Sequence, residues 1–338
     1  MIKTLNDVLV WLREDKYENL IFLFKEADRC RKEFVGDKVH LRGLIEFSNY
    51  CIRNCLYCGL RRENTKLKRY RMEIKEIFKQ AKLIQKLGFK TVVLQSGEDP
   101  YYRIKDLCKL IEKIKKKLNL AVALCIGERS FRDYKDLKEA GADRYLLKFE
   151  TSDYKLYKKL KPDSSYKNRF RCLEYLRKLD FQTGSGNIVG LPFQSLESLA
   201  QDIMLFKELD LDMIGIGPFI PHPNTPLREF SSPKLELVLK VIALTRLITK
   251  ITHIPATTAM GTLYNRGRER ALECGANVIM PNVTPQKYKK YYQIYPNKVC
   301  VKEDPKEFKI YIEKFLASIG RKIATDFGHS LRKNLVFF

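Results

Sequence analysis

Eight short apolar runs alternate with stretches of helical periodicity along most of this chain, and that alternation restricts the fold more than any other feature. The runs cover residues 40–47, 91–95, 121–126, 144–149, 183–189, 213–216, 254–259 and 277–280. Helical patterns occupy 74–87, 104–118, 131–140, 165–179, 196–209 and 234–250 between them, after two helical patterns within 4–34. Gly88, Gly141 and Gly275 stand where helix ends should pass into the next strand, the place of a left-handed C-cap. Eight strand–helix units in about 250 residues is the arithmetic of a TIM-type (β/α)8 barrel. An open doubly wound α/β sheet is the competing architecture. The spacing predicts an N-terminal helical segment over 1–36, the barrel over 37–295, and a C-terminal extension over 296–338 with one helix at 305–316 and a loose tail. Barrels place their chemistry at the C-terminal ends of the strands, so the unusual residues there carry the argument.

Composition narrows the class. Apolar residues make up 45% and charged residues 31%, which excludes wholesale disorder and collagen-like structure. No uncharged apolar run approaches the ~18 residues of a membrane span. The chain starts Met1-Ile2-Lys3-Thr4-Leu5-Asn6-Asp7, without the apolar core of a signal peptide, so a cytoplasmic location is expected. Lys and Arg number 64 against 40 Asp and Glu, a formal charge of +24. Such a charge attracts acidic partners, although lysines on solvated helix faces account for most of it. The densest stretch, Arg61 to Lys75, holds seven basic and two acidic residues. No RNA-recognition motif accompanies it, so nucleic acid is not an expected partner.

The nine cysteines are Cys30, Cys51, Cys55, Cys58, Cys108, Cys125, Cys172, Cys274 and Cys300. An odd number in a chain of this kind argues against a disulfide framework and for metal or redox chemistry. Cys51, Cys55 and Cys58 form a CxxxCxxC motif directly after the first strand. Three thiolates on one loop hold three corners of a [4Fe–4S] cube and leave the fourth iron open to a chelating ligand. A structural zinc site is the rival, but zinc takes four ligands, and no second cysteine pair or close histidine pair exists. Cys30, Cys108 and Cys172 lie on helical patterns and read as small buried hydrophobes.

This motif, with Tyr57 before its last cysteine and at the end of the first strand of a barrel pattern, resembles the radical S-adenosylmethionine (SAM) enzymes. The resemblance implies that SAM chelates the open iron through its amino and carboxylate groups. Reduction by one electron then splits SAM into methionine and a 5′-deoxyadenosyl radical. Ser96-Gly97-Glu98, after the second strand, is similar to the segment whose backbone meets the SAM amino group; Gly97, lacking a side chain, permits that approach. The stretch from Gly186 through Ile188 to Gly190 is similar to the family's GxIxG motif beside the adenine, with Phe193 standing where the family carries an acidic residue. Glu150 and Arg169 are candidates for the ribose hydroxyls and the methionine carboxylate, with a solvated surface pair as the plainer alternative. Cys125 also falls among the SAM-site positions.

Longer strings narrow the resemblance. Residues 46–49, 54–62, 68–72, 94–102, 215–223, 254–261 and 275–282, in order over about 40–300, are similar to the HydE family of [FeFe]-hydrogenase maturases. That likeness implies a substrate resembling a cysteine-bound iron carbonyl–cyanide complex, whose sulfur the radical attacks. The matching cavity positions are Gln95, Lys148, Thr257, Thr258, Met280 and Tyr295. Thr257 and Thr258, adjacent on a strand, should point to opposite faces, so that only one reaches the cavity centre. The plainer reading of Met280 is barrel core.

The chain departs from the family at several positions. Lys148-Phe149 replaces an Arg-His pair, and Ala123 and Cys125 replace a Thr and a Ser. Lys148 offers a point charge where Arg offers a planar fork. Only Cys300 lies beyond Cys274, so the second cluster of some HydE proteins cannot be built in the usual way. These departures keep open a related radical SAM enzyme with another small substrate, such as a methylornithine-synthase-like mutase or a biotin-synthase-like sulfur inserter. A non-catalytic iron–sulfur scaffold associated with RNA is the reading from charge alone. Expected partners are a small-molecule substrate, an acidic flavodoxin or ferredoxin as electron donor, and other hydrogenase maturases.

Overall fold

The computed structural model describes residues 2–334. Two helices open the chain, α1 (Leu5–Arg13) and α2 (Tyr17–Val35), and Thr4 starts α1 with a reciprocal capping box to Asp7. Strand and helix then alternate: β1 (Lys38–Ser48), α3 (Ile74–Lys86), β2 (Thr91–Ser96), α4 (Ile104–Leu118), β3 (Ala121–Cys125), α5 (Phe131–Glu139), β4 (Arg144–Leu146), α6 (Tyr154–Leu160) and α7 (Tyr166–Lys178). They are followed by β5 (Gln182–Val189), α8 (Leu196–Glu208), β6 (Met213–Pro218), α9 (Leu235–Thr249), α10 (Thr258–Leu263), α11 (Gly267–Glu273), β7 (Val278–Ile279) and α12 (Gln286–Lys289). Then come α13 (Pro305–Ser318) and β8 (Lys322–Ile323), and the described chain finishes with a single 3-10 turn, Leu331–Asn334.

All strand pairings are parallel, in the order β6-β5-β4-β3-β2-β1-β7, the topology of helices wound outside a barrel. The expected strand at 254–259 is the main difference. Here the chain makes only isolated bridges, Met213 to His253 and Pro255 to Val278, before turning into α10. These bridges, with hydrogen bonds from Ile214 N to His253 O and from Ala256 N to Val278 O, still place residues 253–256 between β6 and β7 and close the ring. Pro255 lacks the N–H that a regular ladder would use.

Alternation along each strand sorts the core into two layers. Ile45 and Phe47 of β1 point outward into the shell between strands and helices, with Ile77, Ile84 and Leu110 from α3 and α4. Arg42, Leu44 and Glu46, the intervening residues, face the barrel interior. Leu44, Val93, Ala123 and Met280 form a small apolar cluster there. Gly88, Gly141 and Gly275 all have positive φ, as their expected C-cap positions require.

As far as it is described, the C-terminal segment is not a loose tail; residues 335–338 of the expected tail lie outside the described residues. β8 pairs with the start of β1, and residues 326–329 close the N-terminal end of the barrel. The Arg144 guanidinium donates to the carbonyls of Phe327 and Gly328, Arg42 donates to Gly328 O, and Asp326 takes a hydrogen bond from His40. Of the helix cysteines, Cys30 and Cys172 are buried as expected, while Cys108 is only half-buried. Among the described residues, no helix is long and apolar enough to cross a membrane.

Candidate active site at the C-terminal mouth of the barrel

Strand β1 runs into an irregular segment, residues 49–73, that carries the three cysteines. Irregular backbone needs partners for its carbonyls, and two side chains supply them. Asn49 donates to Lys68 O and Tyr291 O and accepts from Tyr70 N. The Arg69 fork donates to the carbonyls of Asn49, Leu60, Arg61 and Asn64. Within the basic stretch Arg61–Lys75, then, Arg69 is a clasp around the cysteine loop, and Arg71 pairs with buried Asp99 at 2.8 Å. Solvated charge does not describe either residue.

The loop's ends are tied to the barrel. Ile52 N donates to Glu98 O, Glu98 N approaches Cys51 Sγ at 3.4 Å, and Leu56 N donates to Leu160 O at the end of α6. Burial raises the pKa of all three thiols, that of Cys51 to about 11. Neutral, partly buried thiols need a compensating cation to become thiolates, which bound iron would supply. Among the described residues, no three His, Cys, Asp or Glu side chains converge on a point suited to a single ion. A cube takes each thiolate at a different corner and needs no such convergence, so the three-cysteine loop fits a [4Fe–4S] cluster.

Tyr57 and Cys58 form part of the wall of a cavity of about 330 Å3 inside the barrel. Gln95 and Cys125 reach it from the ends of β2 and β3, Lys148 and Glu150 from beyond β4, and Ile188 from β5. Thr257, Thr258, Met280 and Tyr295 complete the expected set on this wall. Both threonines line the cavity, contrary to the strand expectation. Thr257 is the N-cap of α10 and Thr258 its first residue, so the strand's alternation no longer applies. Thr257 Oγ1 is buried with no hydrogen-bond partner among the described residues. A wider basin of about 1210 Å3 lies at the barrel's opposite end, around the Asp326–His329 segment. It lies away from the cysteine loop, at the end that in barrels serves stability.

Lys148 Nζ lies 2.9 Å from Glu150 Oε2, an ion pair at the cavity wall. Glu150 itself adopts φ 70, a strained conformation for a non-glycine residue at a chemically suggestive position. Burial pushes the Cys125 thiol up to about 12, Glu150 adds to the rise and Lys148 opposes it, so the thiol is neutral near pH 7. Burial likewise keeps the Tyr57 and Tyr295 phenols neutral.

The remaining candidates sit just outside that wall. Arg169, on α7, pairs with Glu128 at 3.0 Å. Glu150 and Arg169 are therefore not a solvated pair: Lys148 partners one and Glu128 the other. Burial works against the Arg169 charge, but Glu128 beside it raises the pKa above the ordinary value. Glu98 takes hydrogen bonds from Arg53, within the cysteine loop. Ser96 Oγ donates to Gly97 O. At Gly97 a Cβ would lie 2.1 Å from Tyr50 O, so close packing against the cysteine loop already demands glycine there. Gly186 is constrained in the same way by Gly215 O, 2.1 Å from the position of a Cβ.

Several lining groups lie outside the sequence motifs. Glu46, 1% exposed, pairs with Lys298 and accepts from Asn282 Nδ2 at 2.8 Å. Arg42 lies deep in the barrel, where burial and then Arg144 lower its pKa, and His253 is held neutral by burial. The alternation on β1 could have identified Arg42 and Glu46, since both share the inward face of Leu44. Lys298, some 250 positions away, could not have been paired with Glu46 from spacing.

Comparison with known proteins agrees with this geometry. The radical SAM superfamily model matches residues 45–206. The [FeFe] hydrogenase maturase subunit HydE of Thermotoga maritima is 51% identical over 306 residues, covering 90% of this chain and 88% of that protein. The 3-methylornithine synthase of Methanosarcina acetivorans is 29% identical over 276 residues, covering 81% and 78%. A crystal structure of methylornithine synthase superposes with a TM-score of 0.83 at 27% identity, covering 95% of this chain and 94% of the other. The match to the maturase extends through the barrel and well beyond the cysteine motif, and on that ground the chain belongs to the HydE family of the radical SAM enzymes.

Proposed function

We propose that this enzyme binds a [4Fe–4S] cluster on Cys51, Cys55 and Cys58, binds SAM above the barrel mouth, and acts on a cysteine-bound iron carbonyl–cyanide complex during assembly of the [FeFe]-hydrogenase active site. The observation that carries the reading is the juxtaposition of cluster loop and cavity: Tyr57 and Cys58 are themselves wall residues of the 330 Å3 space. When bound, the cluster and SAM supply reductive cleavage of SAM to methionine and a 5′-deoxyadenosyl radical.

The chain's own residues divide the remaining work. The guanidinium of Arg169 is suited to the methionine carboxylate, and Glu150 to ribose hydroxyls. Ile188 offers an apolar face to the adenine, and Gly97 and Gly186 keep their segments packed close against Tyr50 and Gly215. Gln95, Lys148, Thr257 and Thr258 give the substrate a few polar contacts on a wall that Met280, Val278 and Leu44 keep apolar. Such a wall excludes water and protects a reactive radical from quenching. An acidic flavodoxin or ferredoxin as electron donor, and other maturases as exchange partners, suit the +24 charge.

Restoration of active [FeFe]-hydrogenase in cells that lack their own HydE, on expression of this chain, is the expected result. Failure with the protein folded and iron-loaded would contradict the maturase reading. Ala123, Cys125 and Lys148 favour a second reading, a mutase acting on an amino acid; turnover of an amino acid by the purified enzyme would support it. Biotin-synthase-like sulfur insertion lacks a basis, because Cys125 and Cys58 are the cysteines on this wall among the described residues.

A further inference from the structure

Glu128 follows β3 and belongs to none of the motifs above. Its side chain is buried and joins two distant parts of the site. Glu128 Oε1 lies 3.0 Å from Arg169 Nε, and Oε2 accepts from Arg53 Nη2 at 3.1 Å and from Asn168 Nδ2 at 2.6 Å. Arg53 is the second residue after Cys51. It also donates to Glu98 and to Asp163 O, so this one guanidinium ties the cysteine loop to the segments after β2 and β3 and to the turn before α7, beside the Arg69 clasp. On the other side, Arg169 is ion-paired to Glu128 Oε1 through its Nε edge and donates from Nε to Tyr157 Oη at 3.5 Å, while among the described residues no hydrogen bond reaches Nη1 or Nη2. A guanidinium held by one edge has its other edge free for a bidentate anion.

We propose that Glu128 is a positioning residue that fixes the cysteine loop and Arg169 as one unit, aiming the free edge of Arg169 at the SAM carboxylate. The inference rests on the assignment of Arg169 to that carboxylate. A buried arginine, Arg169, and a partly buried one, Arg53, face each other across Glu128 and Glu98. Loss of the Glu128 charge leaves Glu98 to compensate both, and Arg169 then loses its fixed orientation. The effect is specific to the carboxylate end of the ligand, because the adenine and ribose candidates, Ile188 and Glu150, do not touch Glu128.

The test compares SAM with decarboxylated SAM, using cluster-loaded parent and Glu128→Gln enzyme. Dissociation constants come from anaerobic calorimetry, alongside the SAM-induced change in the electron paramagnetic resonance of the reduced cluster. Glu128→Gln is expected to keep its iron content and to bind SAM about tenfold or more weakly, the size seen when an orienting partner is removed. Its preference for SAM over decarboxylated SAM should shrink by a similar factor, with affinity for the decarboxylated form nearly unchanged. A folded, iron-loaded variant with the parent's preference overturns the proposal, as does equal weakening of both ligands. If Glu128→Gln does not fold, Asn168→Ala decides, since it removes the hydrogen bond to Oε2 and otherwise only contacts with Cys172 and Arg171 on its own helix: a several-fold smaller preference supports the proposal and an unchanged one overturns it. Absence of SAM binding by the iron-loaded parent refutes the underlying SAM-site assignment.

Discussion

At the scale of single residues, Cys125 shows how a cavity tunes a side chain. Burial raises its thiol pKa to about 12, Glu150 pushes the same way, and Lys148 only partly offsets them. The thiol is thus a small neutral wall group rather than a nucleophile. Alkylation by iodoacetamide at pH 8, followed by peptide mass mapping, should modify Cys125, its thiol pushed up to about 12, more slowly than Cys108, where burial pushes the thiol only to about 11. Rapid labelling of Cys125 would show that its environment stabilises the thiolate. The three cysteines proposed to hold the cluster stand out in the sequence because a ligand role would fix both residue type and local spacing, and sequence displays both. Glu128 and the Glu46–Lys298 pair were not legible, because their partners lie far away in sequence and any acidic or basic residue reads alike until the fold joins them. Arg69 was hidden for a related reason: a clasp on carbonyls looks like one more cation in a basic stretch.

At the scale of elements, periodicity located the strands and helices within a few residues wherever a strand pairs along several residues. It failed at 254–259, where Pro255 interrupts the ladder and Thr257 caps a helix. That turn brings both threonines onto the cavity wall, which strict alternation forbids. The contact of β5 with α8 carries a measurable electrostatic signature. Asp202, on α8, is enclosed, and burial raises its pKa to about 7 against hydrogen bonds from Ser152 and Asn187 that favour the charge. The folded state therefore holds this proton more tightly than the unfolded chain. The stability it contributes is fully present below the ordinary carboxylate range and is lost as pH rises through about 7. The unfolding free energy of the parent relative to Asp202→Asn, from urea melts, is expected to fall between about pH 4 and pH 7 and level off above. A flat difference, or one rising with pH, would contradict the burial argument.

At the scale of the whole molecule, the two ends of the barrel have different duties. The C-terminal mouth gathers the cysteine loop, Arg169 and the cavity polar groups. The N-terminal end is shut by the chain itself, with Arg42 and Arg144 finding acceptors in the carbonyls of residues 327 and 328. These two buried guanidiniums have no ion pair among the described residues and rely largely on those carbonyls, with Gln182 and Thr91 as further acceptors for Arg144. Truncation after Ala324 should lower stability by about 2–4 kcal/mol, read as a lower urea midpoint. An unchanged midpoint would show that the closure is dispensable. Sequence placed a tail here but could not show its seat, since the seat is built from β1, β2, β4 and β5 together.

The central claim is that the radical generated at the mouth acts on an iron carbonyl–cyanide complex of cysteine in the cavity. The most direct test reconstitutes the cluster anaerobically, adds SAM and a reductant, and quantifies 5′-deoxyadenosine and its adducts with and without that complex. The predicted result is strong stimulation by the complex, with the nucleoside or an adduct appearing as the complex disappears. Slow SAM cleavage that the complex leaves unchanged would contradict the claim and assign the cavity of Lys148, Cys125 and Ala123 to a different substrate.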